Sequence, residues 1–309
     1  MKIVFLGSAS IAVPSLERLL ESEHEILFSI TRPDKPAGRH RAPKPPPLKP
    51  AAEALGVEVL QPAKARDAVG RIVDSGADIC VVVAYGGWLP PPVLDATRLG
   101  CVNLHPSLLP RWRGAAPVER AIMAQDSVTG VSTMLIDEGL DTGPLLMQRE
   151  ATILPGESAG ELSERLGVEG AALVVESVDA LDAGALDPAP QSSEGVTYAE
   201  KLEPEDCRID WTESADAVVA RVRGANPRPG AWTELGGKRL KVWRAQVGSR
   251  LGELQPGEVA GGDTAGGEFV ACAAGKAVVL DEVQPEGKAR MAGAAFVRGH
   301  SLGGVVLGS

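Results

Sequence analysis

Ile79-Cys80-Val81-Val82-Val83-Ala84 has no charged or strongly polar side chain, so both of its faces are apolar. A strand buried on both faces belongs in the middle of a parallel sheet that helices cover on either side. The flanking sequence agrees with that placement. Lys2 to Leu6 is a short apolar run ending at Gly7, and Val13 to Glu21 carries Val13, Leu16, Leu19 and Leu20 at helical spacing. Glu25 to Thr31 and Val57 to Leu60 predict further strands, separated by a Pro-rich loop from Pro33 to Pro47 and a helix near Pro50 to Leu55. After the central strand, Tyr85-Gly86-Gly87-Trp88-Leu89-Pro90-Pro91-Pro92 stands where a helix would otherwise precede the strand Gly100 to Leu104. A helix at Ala115 to Ala124, strands at Gly130 to Ile136 and Leu145 to Ile153, and a helix from Ser158 to Leu181 complete the series. Strands alternating with helices predict an α/β domain built on a parallel sheet.

Asp182 to Pro190 is rich in Ala, Gly, Asp and Pro and begins a linker. Beyond it, a helix at Ala215 to Arg223 is followed by short strand signals at Ala231 to Glu234, Leu240 to Ala245, Gly257 to Val259, Glu268 to Ala271 and Ala277 to Val283. Five short strands with Gly-rich turns suggest a small β-barrel of the oligonucleotide-binding type. The expected division is a first domain at 1–186, a linker at 187–205 and a barrel domain at 206–309. A chain of 309 residues suits two domains, because one core stops growing at roughly 250 to 300 residues. Its 44% hydrophobic and 23% charged residues exclude a disordered chain. No apolar run reaches the roughly 20 residues that span a bilayer, and Met1 to Gly7 lacks a signal peptide's longer core, so the cytosol is expected and no membrane association.

Cys80, Cys101, Cys207 and Cys272 show no C-x-x-C spacing and are expected to be small buried apolar residues. His24, His40, His105 and His300 are equally dispersed, so no metal is expected. The net charge of −10 argues at first against a nucleic-acid partner. Its distribution changes that reading, because residues 205–309 hold 13 basic and 13 acidic residues, whereas residues 1–204 hold 18 and 28. Two basic islands stand out: Arg32 to Pro50 has six Lys/Arg against one acid, and Arg221 to Arg250 has eight against one. Either island taken alone also fits a solvated face.

The chemistry concentrates at Cys101-Val102-Asn103-Leu104-His105-Pro106-Ser107-Leu108-Leu109-Pro110, at the end of a predicted strand where an open α/β sheet forms its ligand crevice. Asn103 and His105 are two apart and share a face of that strand. An amide beside an imidazole suits the oxyanion of a tetrahedral acyl-transfer intermediate. The same residues also fit a plainer reading, with Asn103 capping a turn and His105 satisfied in the core. Asp141, in the loop Asp137-Glu138-Gly139-Leu140-Asp141-Thr142-Gly143, is placed to orient the histidine and to handle protons from an attacking amine, although aspartates in such loops also serve as turn formers. There is no G-x-G-x-x-G, no P-loop and no nucleophile elbow, which leaves direct attack by a substrate amine as the simplest reaction.

Asn103 to Pro117, read N-L-H-P-S-L-L-P-R-W-R-G-A-A-P, and the loop D-E-G-L-D-T-G resemble the methionyl-tRNA formyltransferase family. The resemblance extends through T-R-P-D-K-P-A-G-R at Thr31 to Arg39, V-T-Y-A at Val196 to Ala199, R-I-D-W at Arg208 to Trp211, N-P-R-P-G-A at Asn226 to Ala231 and Q-P-E-G-K at Gln284 to Lys288. It implies a Rossmann-like formyltransferase domain followed by an oligonucleotide-binding-type barrel. It further implies transfer of a formyl group from 10-formyltetrahydrofolate to the methionine amino group on initiator methionyl-tRNA, with Asn103, His105 and Asp141 as the catalytic set. Ser107, Leu108, Leu109 and Pro110 would line the folate site, and Gly86, Trp88 and Leu89 would wall the pterin pocket. Arg39 would reach the tRNA acceptor stem, and Lys35, Arg41 and Lys44 are expected to meet its phosphates. No obligate protein partner is expected. One departure is Gly7-Ser8-Ala9-Ser10-Ile11, where the family commonly has G-T-P followed by an acidic and an aromatic residue.

Two other readings compete. Another 10-formyltetrahydrofolate-dependent formyltransferase or hydrolase would share the first domain. For a ribonucleotide formyltransferase, the C-terminal 100 or so residues would be left without a role. A non-catalytic tRNA-binding protein would keep the basic islands but has no need of Asn103, His105 and Asp141 together.

Overall fold

The computed structural model describes residues 1–37, 42–250, 254–260, 269–300 and 302–308. In chain order the elements are β1 (Lys2–Gly7), α1 (Val13–Leu20), β2 (Glu25–Ile30), β3 (Lys35–Ala37), β4 (Ala42–Lys44), α2 (Leu48–Ala54), β5 (Val59–Leu60), α3 (Val69–Asp74), β6 (Ile79–Val83), α4 (Pro91–Leu94), β7 (Cys101–His105), β8 (Arg113–Gly114), α5 (Pro117–Met123), β9 (Val128–Leu135), β10 (Leu145–Thr152), α6 (Ala159–Asp182), β11 (Tyr198–Ala199), α7 (Ala215–Gly224), β12 (Ala231–Leu235), β13 (Lys238–Arg250), β14 (Val270–Ala273), β15 (Lys276–Pro285), β16 (Met291–Ala292) and α8 (Gly293–Arg298). Contacts gather them into two units, one of residues 1–114, 128–152 and 163–199, the other of residues 115–127, 153–162 and 200–309.

The first unit is a seven-stranded sheet in the order β10-β9-β7-β6-β1-β2-β5. The five strands from β7 to β5 are parallel, and β6, the middle strand of the seven, is buried along its whole length. Val4 and Leu6 of β1 join Cys80 and Val82 of β6 on one face, in a core with Phe28, Ile72 and Val93. β9 and β10 run antiparallel to their neighbours. Only residues 136–144 connect them, too few for the crossover of a dozen or more residues that parallel pairing needs. The chain leaves β1 toward β2 on one side and returns to β6 on the other, so the switch point of the sheet lies at the carboxyl ends of β1 and β6.

The sequence expectations need three corrections here. The Pro33–Pro47 loop contains the hairpin β3–β4, in which Lys35 stands opposite Lys44 and Pro36 opposite Pro43. The interval after β6 does hold a helix, the short α4, whose Pro91 occupies the first turn where a missing N–H costs nothing. Residues 187–199, expected within a linker, belong to the first unit: Ala189 exchanges backbone hydrogen bonds with Leu145, and β11 pairs with β8.

The second unit carries an antiparallel sheet in the order β12-β13-β15-β14, with β16 on β15. The 13-residue β13 changes register against β15 at three places. Trp211, Val218, Val222, Val242, Phe269, Leu280 and Phe296 fill its core. The strand expected at Gly257 to Val259 is reduced to single bridges, Glu258 with Val306 and Val259 with Ala271. Among the described residues no helix is long and apolar enough to cross a membrane. Cys80, Cys101 and Cys207 are buried as expected, and the side chain of Cys272 lies outside the described residues. A hydrogen bond with Cys80, together with burial, pushes the Cys101 thiol far up, so it remains a protonated apolar group.

Candidate active site

Strand alternation on β7 sends Asn103 and His105 to the same face, with Leu104 on the other. His105 is buried, and its Nε2 lies 2.9 Å from the carbonyl oxygen of Trp112. A carbonyl only accepts, so Nε2 must carry the proton. The other ring nitrogen, Nδ1, faces Asp141 Oδ2 at 3.7 Å, with the two side chains 5% and 17% exposed. That separation is too long for a hydrogen bond but brings the carboxylate within reach of a charged ring. Asp141 Oδ2 in turn accepts the Gly114 backbone N–H at 2.8 Å. Asn103 is half-buried, and among the described residues its amide has no hydrogen-bond partner.

Two non-glycine residues beside this pair sit in the left-handed region, Trp112 at φ 62° and Asp141 at φ 52°. Such conformations cost about 1–3 kcal/mol and cluster at functional sites. The turn that bears Asp141 is built by a second acid. Asp137 Oδ1 accepts from Gly139 N at 3.0 Å and from Thr142 Oγ1 at 2.7 Å, so Asp137 forms the loop while Asp141 faces the histidine. Gly143 is obligatory for packing, since a Cβ there would run into the Leu135 carbonyl, and one at Gly139 would run into Thr142 Oγ1.

The loop after β7 is pinned from below. Ser132 Oγ on β9 donates to Ser107 O at 2.6 Å and accepts from Leu109 N at 3.1 Å. Gln148 Nε2 on β10 donates to Leu109 O and to Ser132 Oγ, both at 2.9 Å. Ser107 is fully buried and spends its hydroxyl on Arg111 O at 2.6 Å, so it shapes the loop from within. Leu109 is buried as well, whereas Leu108 and Pro110 are half-buried. Ser132 and Gln148 carry no sequence signal, being single polar residues on ordinary strands.

At the end of β6, Gly86 turns the chain at φ 70°, Leu89 is buried and Trp88 is 75% exposed. The unusual turn after β1 has a clear role here: Ser8 Oγ donates to Tyr85 O at 2.8 Å and accepts from Arg32 N at 3.1 Å, tying three segments of the crevice together. Burial pushes the Tyr85 phenol above its ordinary range, against the opposing pull of Arg32. Lys35 and Lys44 are exposed on β3–β4, and Arg39 and Arg41 lie outside the described residues. In the second unit, Arg221 of the basic island is committed to Glu213, with contacts of 2.8 and 2.7 Å, and Arg223 Nε donates to Glu157 O at 2.8 Å. Two further cations of the island lie over indole rings, Arg239 at 4.0 Å from the Trp232 centroid and Lys241 at 5.1 Å from that of Trp243, and Arg290, beyond the island, lies 3.6 Å from the Trp243 centroid.

An amide, an imidazole and a carboxylate gathered beside the carboxyl end of β7 suit a group transfer at a carbonyl carbon. Residues 1–178 match the formyl transferase family, and residues 201–301 match the formyl transferase C-terminal domain. The chain is 45% identical over 293 residues to the methionyl-tRNA formyltransferase of Jannaschia sp., covering 94% of each chain. It is 46% identical over 302 residues to that of Streptomyces coelicolor, covering 97% of this chain and 96% of the relative. HypX from Aquifex aeolicus, solved in complex with tetrahydrofolic acid, shares the fold at a TM-score of 0.66 and 19% identity, over 96% of this chain and 47% of its own. The chain belongs to the formyl transferase family, among its methionyl-tRNA formyltransferases.

Proposed function

We propose that the protein moves a formyl group from 10-formyltetrahydrofolate to the amino group of methionine on initiator tRNA, in the cytosol, by direct attack of the amine. The observation that carries this reading is the His105–Asp141 pair at 3.7 Å, on the same strand face as the unpartnered Asn103 amide. The donor supplies a formyl carbonyl whose oxygen gains negative charge as the amine adds. Asn103 donates its amide N–H to that oxygen, and the bare Nδ1 of His105, on the same side, is free to take the proton that the amine gives up. Asp141 faces that nitrogen and stabilises the ring while it holds the proton, which passes to N10 of the folate as the bond from N10 to the formyl carbon breaks, leaving tetrahydrofolate and the formylated amine. The pinned loop with Ser107, Leu108, Leu109 and Pro110, and the Gly86–Leu89 turn with Trp88, fit a flat heterocycle held by backbone and apolar contact.

Domain roles follow from the same reading. The first unit binds folate and performs the transfer. Lys35, Arg39, Arg41 and Lys44 meet the acceptor stem, and Arg239, Lys241 and Arg290, which lie over the buried Trp232 and Trp243 rings, hold the tRNA backbone. Arg221 and Arg223, engaged inside that unit, are left out of the tRNA contact. The deciding experiment measures formyl transfer from 10-formyltetrahydrofolate to charged initiator and charged elongator tRNA. Transfer to the initiator alone is expected. Transfer to a nucleotide-linked amine in preference to either tRNA would defeat the reading.

A further inference from the structure

Residues 189–199 are tied to both halves of the catalytic pair. Gln191 commits every donor and acceptor of its side-chain amide to these ties. Its Nε2 donates to Asp141 O at 2.9 Å and to Gly143 O at 2.8 Å, while Oε1 accepts from Arg113 Nε at 3.0 Å and Nη2 at 2.7 Å. Arg113 is itself buried. Six residues on, Thr197 Oγ1 accepts the Trp112 N–H at 2.8 Å, and Thr197 O accepts the Arg113 N–H at 2.9 Å. The pairing of Tyr198 and Ala199 with Arg113 and Gly114 continues that hold.

These ties fall on the two left-handed residues, Trp112 and Asp141, whose conformations last only where surrounding bonds over-determine them. Trp112 aims its carbonyl at His105 Nε2 and thereby decides which ring nitrogen carries the proton. Asp141 presents its carboxylate to the other nitrogen. We propose that Gln191 and Thr197 are positioning residues for the transfer, forming a clasp that sets the His105 tautomer and the spacing between His105 and Asp141. Neither touches the reacting atoms. The inference rests on the function proposed above.

The test uses full-length Thr197→Val, Thr197→Ser, Gln191→Ala and Gln191→Glu variants. Valine keeps the shape of threonine but cannot accept from Trp112, whereas serine can. Glutamate keeps the Arg113 contact but cannot donate to the two carbonyls. The expected size is on the order of 10- to 100-fold, as when a metal-bound histidine loses its orienting partner. The expected result is a fall of that size in kcat for Thr197→Val, Gln191→Ala and Gln191→Glu, with KM for folate and tRNA unchanged and Thr197→Ser near normal. In nitrogen-15 spectra of the His105 ring, the fixed Nε2 proton should give way to mixed tautomers in Thr197→Val. Unchanged kcat in the valine and glutamate variants overturns the clasp, and so does a serine variant as slow and as easily melted as valine. If the unaltered enzyme transfers no formyl group, the functional reading fails by itself, and the ring spectrum still decides: a fixed Nε2 proton in Thr197→Val overturns the clasp.

Discussion

The crevice and the β3–β4 hairpin, the two regions assigned to the two substrates, are built on opposite principles. Around His105 and Asp141, backbone groups from residues 107, 109, 112, 114, 141 and 143 are each held by a named partner, and two residues are kept in conformations they would not adopt alone. The hairpin sets Lys35 directly opposite Lys44, a cross-strand pair of like charges that works against its own stability. Chemistry needs donors fixed before the charge develops, because that leaves nothing to reorganise during the step. A phosphate backbone needs concentrated positive charge, and here that charge is displayed at some cost to the local fold.

The contrast breaks first if the fixed donors prove dispensable. His105→Ala and Asn103→Ala should each slow formyl transfer by about 10² or more while the protein stays folded, as single-turnover rates and a melting curve would show. Near-normal rates would remove that residue from the mechanism. The hairpin should behave differently. Lys35→Gln with Lys44→Gln should raise KM for charged tRNA roughly several-fold and shallow its salt dependence by about one unit of slope per lysine, leaving folate binding unchanged. Unaltered salt dependence would make the hairpin a solvated lid. The smallest effect sharpens the comparison inside the crevice itself. Asp137→Asn keeps both bonds that Asp137 accepts, so transfer should stay within about twofold, the spread of ordinary surface changes. A large loss there would mean that charge in this loop matters beyond Asp141.

The sheet is legible because β1 and β6 are short apolar runs bounded by turn residues, and a buried parallel strand leaves that mark directly. β3 and β4 are not, since Pro36 and Pro43 remove donors and neither strand alternates apolar with polar residues. α4 is hidden because Pro90, Pro91 and Pro92 read as breakers, although proline also starts helices. Asn103, His105 and Asp141 lie in stretches whose residue types suggest their chemistry. Gln191 acts on the Asp141 and Gly143 carbonyls, 50 and 48 residues away, and Thr197 on the Trp112 N–H, 85 residues away, through backbone groups common to every residue, so no local pattern announces them.

The packing of Gly143 against Leu135 O, and of Gly139 against Thr142, bears on how this lineage is recognised in genomes. Most letters of D-E-G-L-D-T-G answer to the shape of the loop: the glycines avoid collisions, while Asp137 and Thr142 close the turn. A descendant that lost its chemistry but kept its fold would be under pressure to retain those letters. Asp141, whose carboxylate is proposed to serve the histidine, would lose that part of the pressure. On the role proposed for Asp141, the fifth letter says more about a living enzyme than the glycines do, and a survey for silent copies should look there first.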